Sequence, residues 1–478
     1  MSATVTPVST PVVPSPVATG APETVASADP RPHVVIVGGG FGGMSAARAL
    51  ADAPVRITLV DRTNHHVFQP LLYQVATAVL NPSDISVPIR WVLRHQKNVT
   101  VLMGQVDRID PATRTLGMDG GTTTLSFDYL ILATGARHAY FGHPEWERDA
   151  PGLKSLEDAI EMRRRFLLAF EAAERSTDDA ERDALLTFVI VGGGPTGVEL
   201  AGIIPDVAKQ SMREDFRRVD PARTKVVLIE GGPRILPTFP EALSARARED
   251  LARLGVTVRT GAVVTAVDDE GVSIGDERIP ARTVFWGAGN QASPLARQLG
   301  ETDRAGRAKV QPDQSLAAWP NVFVVGDAAA STSRDGSPVP AVAPAANQTG
   351  EVAARSIVAD LAGRPRPTFQ YVNKGDLAVI GRHRAIAAIR NVKLTGTIAW
   401  IVWLFVHILY LVGFRNRLSV LVQWAFAYFT HQRGVRLITH GEGMSARSLE
   451  SLVPHRHLAD ARTAPAAATP ASPVAAAS

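Results

Sequence analysis

Two stretches of the chain share one pattern of apolar and polar positions. In the first, the apolar run 33–37 leads into a glycine-rich turn at 38–43, a helix-periodic stretch at 44–52, and a second apolar run at 55–60 that stops at Asp61. In the second, 188–191 leads into the turn 192–197, the helix-periodic 198–210, and the run 225–229, which stops at Glu230. Strand, turn, helix and strand make a βαβ unit, which requires a parallel sheet with helices on its faces. Three further apolar runs end in glycine: 128–135 (DYLILATG), 285–289 (FWGAG) and 321–327 (NVFVVGD). The polar, basic stretch 209–224 predicts a helical excursion before the second unit's return strand.

Both turns read Gly-x-Gly-x-x-Gly: Gly38, Gly40 and Gly43, then Gly192, Gly194 and Gly197. In such a turn the first glycine permits the tight bend, the second lets backbone approach a pyrophosphate, and the third lets helix pack on strand. The helix that follows offers unpaired N–H groups to phosphate. Asp61 and Glu230, at the ends of the next strands, are placed to accept hydrogen bonds from ribose hydroxyls. A carboxylate at Glu230 repels a 2′-phosphate and so favours NADH over NADPH, with Arg234 close enough to soften the preference. Asp327, beside Gly326 at a strand end, suits a ribityl chain or a phosphate. The fold class is therefore α/β, with two Rossmann-like dinucleotide-binding domains.

The C-terminal pattern is different. Residues 398–414 are almost continuously apolar, broken by His407, and are stopped by Arg415, Asn416 and Arg417. A shorter apolar stretch, 418–430, carries Ser419, Gln423 and Thr430 on one helical face and is followed by Arg433 and Arg436. A spanning helix needs about 17–25 residues, which the first run barely reaches and the second does not. Trp400, Trp403, Tyr410, Trp424 and Tyr428 concentrate here, as amphipathic rings do at a headgroup boundary. The expectation is a helical pair lying in the membrane plane, with arginines meeting anionic lipid. The ends, 1–32 and 446–478, are dominated by Ala, Pro, Thr, Ser and Val and are expected to be disordered, since they bury too little to offset ordering entropy. The first also lacks the basic and apolar regions of a signal peptide.

Composition narrows the chemistry. With 478 residues, 45% of them hydrophobic, the chain has room for two or three domains. It has no cysteine, which excludes disulfides, thiolate metal sites, iron–sulfur ligation and thiol redox centres. Fifty basic against 46 acidic residues leave a charge of +4 spread along the chain, so no nucleic-acid partner is expected. His65 and His66 are adjacent with no third ligand spaced nearby, which favours a structural or lining role over a metal site, and no metal is expected. The apolar turn Phe68, Pro70, Leu71, Leu72 and Tyr73 reads as core, or as the lining of a tunnel beside the first nucleotide.

The order of these segments resembles the two-dinucleotide-binding flavoprotein reductases. More narrowly, it resembles the type II NADH dehydrogenases, single-subunit NADH:quinone oxidoreductases that pump no protons. The likeness rests on 65–77 (HHVFQPLLYQVAT), 192–202 (GGGPTGVELAG), 371–382 (YVNKGDLAVIGR) and the apolar segment 400–439. It implies an FAD domain in two parts, 33–150 and 289–370, interrupted by an NADH domain at 151–288 and followed by a membrane-anchoring domain at 371–445. Non-covalent FAD would be held by Gly38, Gly40, Phe41, Gly43, Asp61, Arg62, Ala133, Thr134, Gly135, Gly326, Asp327 and Ala343. NADH, the substrate, would lie against Gly192, Gly194, Pro195, Thr196, Gly197, Glu230, Gly287, Ala288 and Gly289.

The resemblance further places Glu199 near nicotinamide and flavin, matches Ala343 and Gln348 to a flavin-side quinone motif, and makes Lys374 a group that stabilises reduced quinone or flavin. From the residues alone, Glu199 reads equally well as a first-turn charge favoured by the helix dipole, and Lys374 as a surface lysine. The motif's first glutamine is replaced by Pro344, which keeps the turn but removes an amide. Implied partners are a quinone (menaquinone expected, ubiquinone the other choice) and the bilayer surface, at the cytoplasmic face of the cell membrane; a homodimer is left open. Two alternatives stand beside this: an NADH reductase that passes electrons to a redox protein, which would not need the C-terminal segment, and a non-catalytic NADH-sensing flavoprotein, which Pro344 would favour. Sulfide:quinone and disulfide reductases share the architecture but need cysteines.

Overall fold

The computed structural model describes residues 23–24, 29–430 and 436–438, with the backbone alone at 23–24 and 427–430. The expected disorder at the two ends falls almost wholly outside these residues. Within the lead-in, however, Glu23–Thr24 pairs in parallel with Thr123 and Thr124.

The chain divides into two units. One comprises Met1–His65, Pro88–Gly135 and Ala292–Val372, the other His66–Val87, Ala136–Gln291 and Asn373–Ser478. The chain thus crosses over after Gly135 and before Ala292, beside the boundaries at 150 and 289 that the resemblance implied. The C-terminal segment groups with the second unit rather than standing apart.

Parallel strands form a sheet in each unit: β1 (His33–Val37), β2 (Arg56–Asp61), β3 (Val99–Met103), β4 (Tyr129–Leu132), β5 (Thr187–Val191), β6 (Lys225–Glu230), β7 (Val256–Thr260), β8 (Thr283–Trp286) and β9 (Val322–Val324). The helices that bear on function are α1 (Phe41–Ala49), α2 (Leu156–Arg175), α3 (Pro195–Asp206), α4 (Ala343–Leu361), α5 (Gly396–Tyr410) and α6 (Phe414–Thr430). The first unit's sheet runs β9-β4-β1-β2-β3 and the second's β7-β6-β5-β8. In each, strand order reverses beside the first strand, and ligands bind in open α/β sheets at that switch point.

Both faces of each sheet are covered, which is why the strands read as unbroken apolar runs rather than alternating ones. Val34 and Ile36 pack with Met44, Leu50 and Ile357 on one face of the first sheet, while Val35 and Val37 join Leu116, Leu130 and Val322 on the other. α1 and α4 cross at glycines: a Cβ on Gly350 would lie 2.2 Å from the Gly42 carbonyl oxygen. In the second unit Phe166 and Phe170 of α2 pack against Phe188 of β5. An antiparallel sheet of β10 (Asp376–Gly381), β11 (Arg384–Ile389) and β12 (Val392–Thr395) follows. α3 lies so close to β10 that a Cβ on Gly202 would sit 1.7 Å from the Ile380 oxygen.

The excursion at 209–224 is not a helix. α3 gives way to a single π turn at Val207–Ser211, and only a short 3-10 turn, Pro221–Arg223, follows. Its backbone is satisfied from elsewhere: the Glu174 carboxylate on α2 accepts from the N–H groups of Arg217, Arg218 and Val219.

The C-terminal helices depart further from expectation. Trp403 of α5 is buried and stacks on His407, and Trp424 of α6 points inward, its indole N–H donating 2.8 Å to Gln74. Neither ring is at an outer boundary, and the side chain of Tyr428 lies outside the described residues. Ser419 and Gln423 also face inward, onto Asp84, while Thr430 has no described side chain. The outward surface is apolar, with Phe405 69%, Leu409 64% and Phe414 79% exposed. Among the described residues no helix is long and apolar enough to cross a membrane.

Candidate active site

At the switch point of the first sheet, Gly38 closes against the end of β4. A Cβ on Gly38, whose φ is +106°, would lie 2.4 Å from the Ala133 oxygen, and one on Gly43 would lie 1.8 Å from the Gly38 oxygen. Gly40, by contrast, faces open space. It is the N-cap of α1 and supplies no side-chain cap, so the helix N-terminus opens onto that space without a capping side chain. The Asp61 carboxylate fastens the turn, accepting from Gly39 N–H at 2.6 Å and from the N–H and hydroxyl of Thr63 at 2.7 and 2.8 Å. Arg62 is exposed beside it.

The return part of the chain completes this site. Gly326 N–H donates to Thr349 of α4 at 3.0 Å, and Ala346 packs over Gly326. Asp327 and Gly326 line a small cavity with Arg307 and Ala345. Among the described residues the Asp327 side chain makes no hydrogen bond or ion pair, and the buried hydroxyl of Thr134 is also without a partner. α4 begins at Ala343 without a side-chain cap and has Pro344 in its first turn. A proline there forfeits only an N–H that has no partner within the helix, which is why the substitution leaves the helix intact.

The second sheet repeats the construction. A Cβ on Gly192 would meet Gly287 and Ala288 at the end of β8, one on Gly197 would lie 1.9 Å from the Gly192 oxygen, and Gly194 faces open space at the uncapped start of α3. Elsewhere caps are present: Ser155 closes α2 with a capping box. Glu230 accepts from Gly193 and Gly232 N–H, both at 2.6 Å. A cavity of about 770 Å³ is lined by Gly192, Gly194, Pro195, Thr196, Glu230 and 287–289.

Sequence reasoning missed this cavity's aromatic wall. Trp286 and Trp146 pack 5.7 Å apart, and Phe141, 70% exposed, stands against Gly289. Trp286 was visible in FWGAG, but nothing in the one-dimensional pattern joined it to 141–146. The guanidinium of Arg234, expected to soften the cofactor preference, donates to the carbonyls of Phe239 at 2.8 Å and Pro237 at 2.7 Å.

Glu199, Gln348 and Lys374 sit in different settings. Glu199 is one turn further along α3 than expected, and the helix carries no acidic residue in its first turn. Burial pushes its carboxyl up to about 8, opposed by a backbone hydrogen bond from Val379. Gln348 on α4 spends both ends of its amide on Val372, donating to its carbonyl at 3.0 Å and accepting from its N–H at 2.9 Å. Lys374, two residues beyond, is exposed, and its ammonium lies 5.4 Å from the Tyr410 ring centre.

A carboxyl whose folded value lies above its ordinary 4.5 is accommodated neutral. Its contribution to stability is full below that ordinary value and lost as pH rises toward about 8. The melting temperature of the wild type, measured against Glu199→Gln, should therefore fall progressively between pH 5 and about 8. A constant difference across that range would place the Glu199 carboxyl in water.

Comparison with known proteins agrees with this geometry. Residues 32–350 match the pyridine nucleotide-disulphide oxidoreductase family, and 373–432 match the NDH2 C-terminal domain. The chain is 44% identical over 439 residues to the type II NADH:quinone oxidoreductase Ndh of Mycobacterium tuberculosis, covering 88% of this chain and 94% of that protein. It is 29% identical over 410 residues to the demethylphylloquinone reductase NdbB of Synechocystis, covering 83% and 96%. The structure of NDH2 from Plasmodium falciparum in complex with NADH shares the fold, with a TM-score of 0.78 at 19% identity over 86% of this chain and 100% of that one. By these matches and by its two glycine cradles, the chain belongs to the type II NADH:quinone oxidoreductases, within the pyridine nucleotide-disulphide oxidoreductase family.

Proposed function

We propose that this protein oxidises NADH at its second cradle and delivers the electrons, through FAD held at its first, to a quinone drawn from the bilayer. Menaquinone is the acceptor in this reading, and the protein works from the cytoplasmic face of the cell membrane. The observation that carries it is the conjunction of two dinucleotide cradles with a helix pair whose apolar surface is turned outward.

The first cradle fits FAD on its own chemistry: open space over Gly40, an unpartnered Thr134 hydroxyl and an unpartnered Asp327 carboxylate. FAD, when bound, supplies a carrier that accepts hydride and passes on two electrons. The first turn of α1 would hold the pyrophosphate. A carboxylate offers about four acceptor sites, of which the turn uses three at Asp61, leaving one for a ribose hydroxyl. The turn uses two at Glu230, leaving room for both hydroxyls of the NADH ribose.

Three residues would serve the chemistry. Glu199, neutral at physiological pH, presents a hydrogen-bond donor toward the nicotinamide. Lys374 brings a positive charge to the reduced acceptor, where developing negative charge is stabilised. Gln348 holds the segment that leads to Lys374 through its paired bonds to Val372. The outward apolar faces of α5 and α6, with Arg415 at their turn, would rest in the headgroup region. His407 does not interrupt that surface with charge: burial holds its imidazole down at about 4, so it is neutral at physiological pH.

Purified protein supplied with NADH should reduce a menaquinone analogue in detergent well above its rate with oxygen; no excess over oxygen would end the quinone reading. Glu230→Arg should raise the ratio of kcat/KM with NADPH to that with NADH by about tenfold or more, the scale of one lost repulsion plus one new phosphate contact. An unchanged ratio would remove Glu230 from the ribose. The pair Phe405→Asp and Phe426→Asp, at exposed positions, should move the protein from membrane to soluble fraction without changing its flavin content. Retention at the membrane would show that another surface binds it.

A further inference from the structure

α6 is amphipathic in the reverse of the usual sense. Its outward residues Leu418, Val422 and Phe426 are more than half exposed, whereas the residues facing protein are Asn416, Ser419, Val420, Gln423 and Trp424. Such a helix gains little from apolar burial against the protein, so directional bonds must set its place.

Those bonds all run one way. Asn416 donates to the carbonyls of Ser83 and Ser86, both at 3.2 Å. Ser419 and Gln423 donate to the two oxygens of Asp84, each at 2.9 Å, and Trp424 donates to Gln74 at 2.8 Å. Donors on one helix face meet acceptors on a single segment, 74–86. Asp84, 6% exposed, also accepts from Asn81 N–H and so caps the short helix Pro82–Ile85. The segment is also held by Arg163 of α2, itself buried, which donates to the carbonyls of Val75 at 2.9 Å and Leu80 at 2.7 Å.

A buried carboxylate is costly to desolvate, and an apolar pair would fasten two elements at least as tightly. What the polar arrangement adds is register: a slide of α6 by one turn breaks every bond at once. The same segment leads from Phe68, whose ring meets the edge of His407 at 6.2 Å, and His407 and Trp424 both pack on Trp403. Both C-terminal helices and the segment 66–86 thus share one aromatic cluster.

We propose that Asp84 is a positioning residue which keys α6 onto the segment 74–86, and that admission of a bilayer quinone to the protein depends on that register. The proposal rests on the reading of α5 and α6 as the membrane-facing surface. The outer face of α6 supplies adhesion, and its inner face supplies alignment.

The test uses full-length, FAD-loaded protein on phosphatidylcholine/phosphatidylglycerol vesicles containing a long-chain menaquinone, with ferricyanide as a water-soluble acceptor for comparison. Asp84→Ala should raise the quinone KM by about tenfold, the scale of one lost hydrogen bond to a charged acceptor. Ferricyanide turnover, the NADH KM and vesicle flotation should stay unchanged. Asp84→Asn should recover most of the loss, since its amide oxygen can keep the bonds from Gln423 and Asn81 N–H while its amide N–H donates to the Ser419 hydroxyl, which can also accept. Gln423→Met, which leaves the carboxylate in place, should raise the quinone KM by a smaller factor of about two to three.

An unchanged quinone KM in both Asp84→Ala and Gln423→Met would overturn the proposal. So would a parallel fall of quinone and ferricyanide rates, which marks general damage, or a loss of flotation, which would make Asp84 part of the anchor. Failure of the wild type to reduce quinone would sink the functional reading instead, and is seen before any variant is made.

Discussion

The close approach of backbone to backbone at the end of the first strand of each sheet is the constraint on which the rest depends. Gly38 lies against Ala133, and Gly192 against Gly287 and Ala288, at separations no Cβ would tolerate. That contact brings two strand ends side by side at the point where strand order reverses, and it aims the N-terminus of the following helix into the gap. Everything offered to a dinucleotide in either unit follows from it: the uncapped first turn, the open space over Gly40 or Gly194, and the carboxylate of Asp61 or Glu230 clasping the turn. The two units solve the same steric problem with the same residues.

The C-terminal helices are built on different physics. Where the cradles depend on missing side chains, the C-terminal helices depend on which side of a helix meets protein. α5 buries Ala399 and Trp403 and exposes Ile398, Phe405 and Leu409, while α6 turns its polar residues inward and its large apolar ones out. In water such a surface would favour association, whereas against lipid it is matched to its surroundings. Neutral His407 and the buried bonds to Asp84 keep charge and unpaired polar groups away from that surface.

Family resemblance and local geometry bear differently on the individual residues. The Gln348 amide is consumed by Val372, so the surviving half of its motif is tied to holding backbone, and Pro344 occupies a helix position where an N–H has no intrahelical use. Glu199 owes its elevated titration to burial and not to the helix terminus, since the first turn of α3 carries no acid. Arg234, close to Glu230 in sequence, is withdrawn by carbonyls of its own loop.

The βαβ pattern, the glycine spacing, the acidic strand ends and the two apolar C-terminal runs were legible in the chain because each is a local property: periodicity, a steric requirement or a length. The form of the excursion at 209–224 was not, because its N–H groups at 217–219 are satisfied by Glu174, more than forty residues upstream. Nor was the aromatic wall of the second cavity, which gathers 141–146 and Trp286 from distant segments. Sequence showed that Ser419 and Gln423 share a helix face but not which way that face looks. A helical pattern fixes which residues lie together, while orientation is decided by the partner, here Asp84, more than three hundred residues away. The sequence by itself thus determined the elements and their chemistry, and only the tertiary structure decided which polar groups were already spent on the protein and which remained for ligand or lipid, because hydrogen bonds between distant segments leave no trace in local spacing.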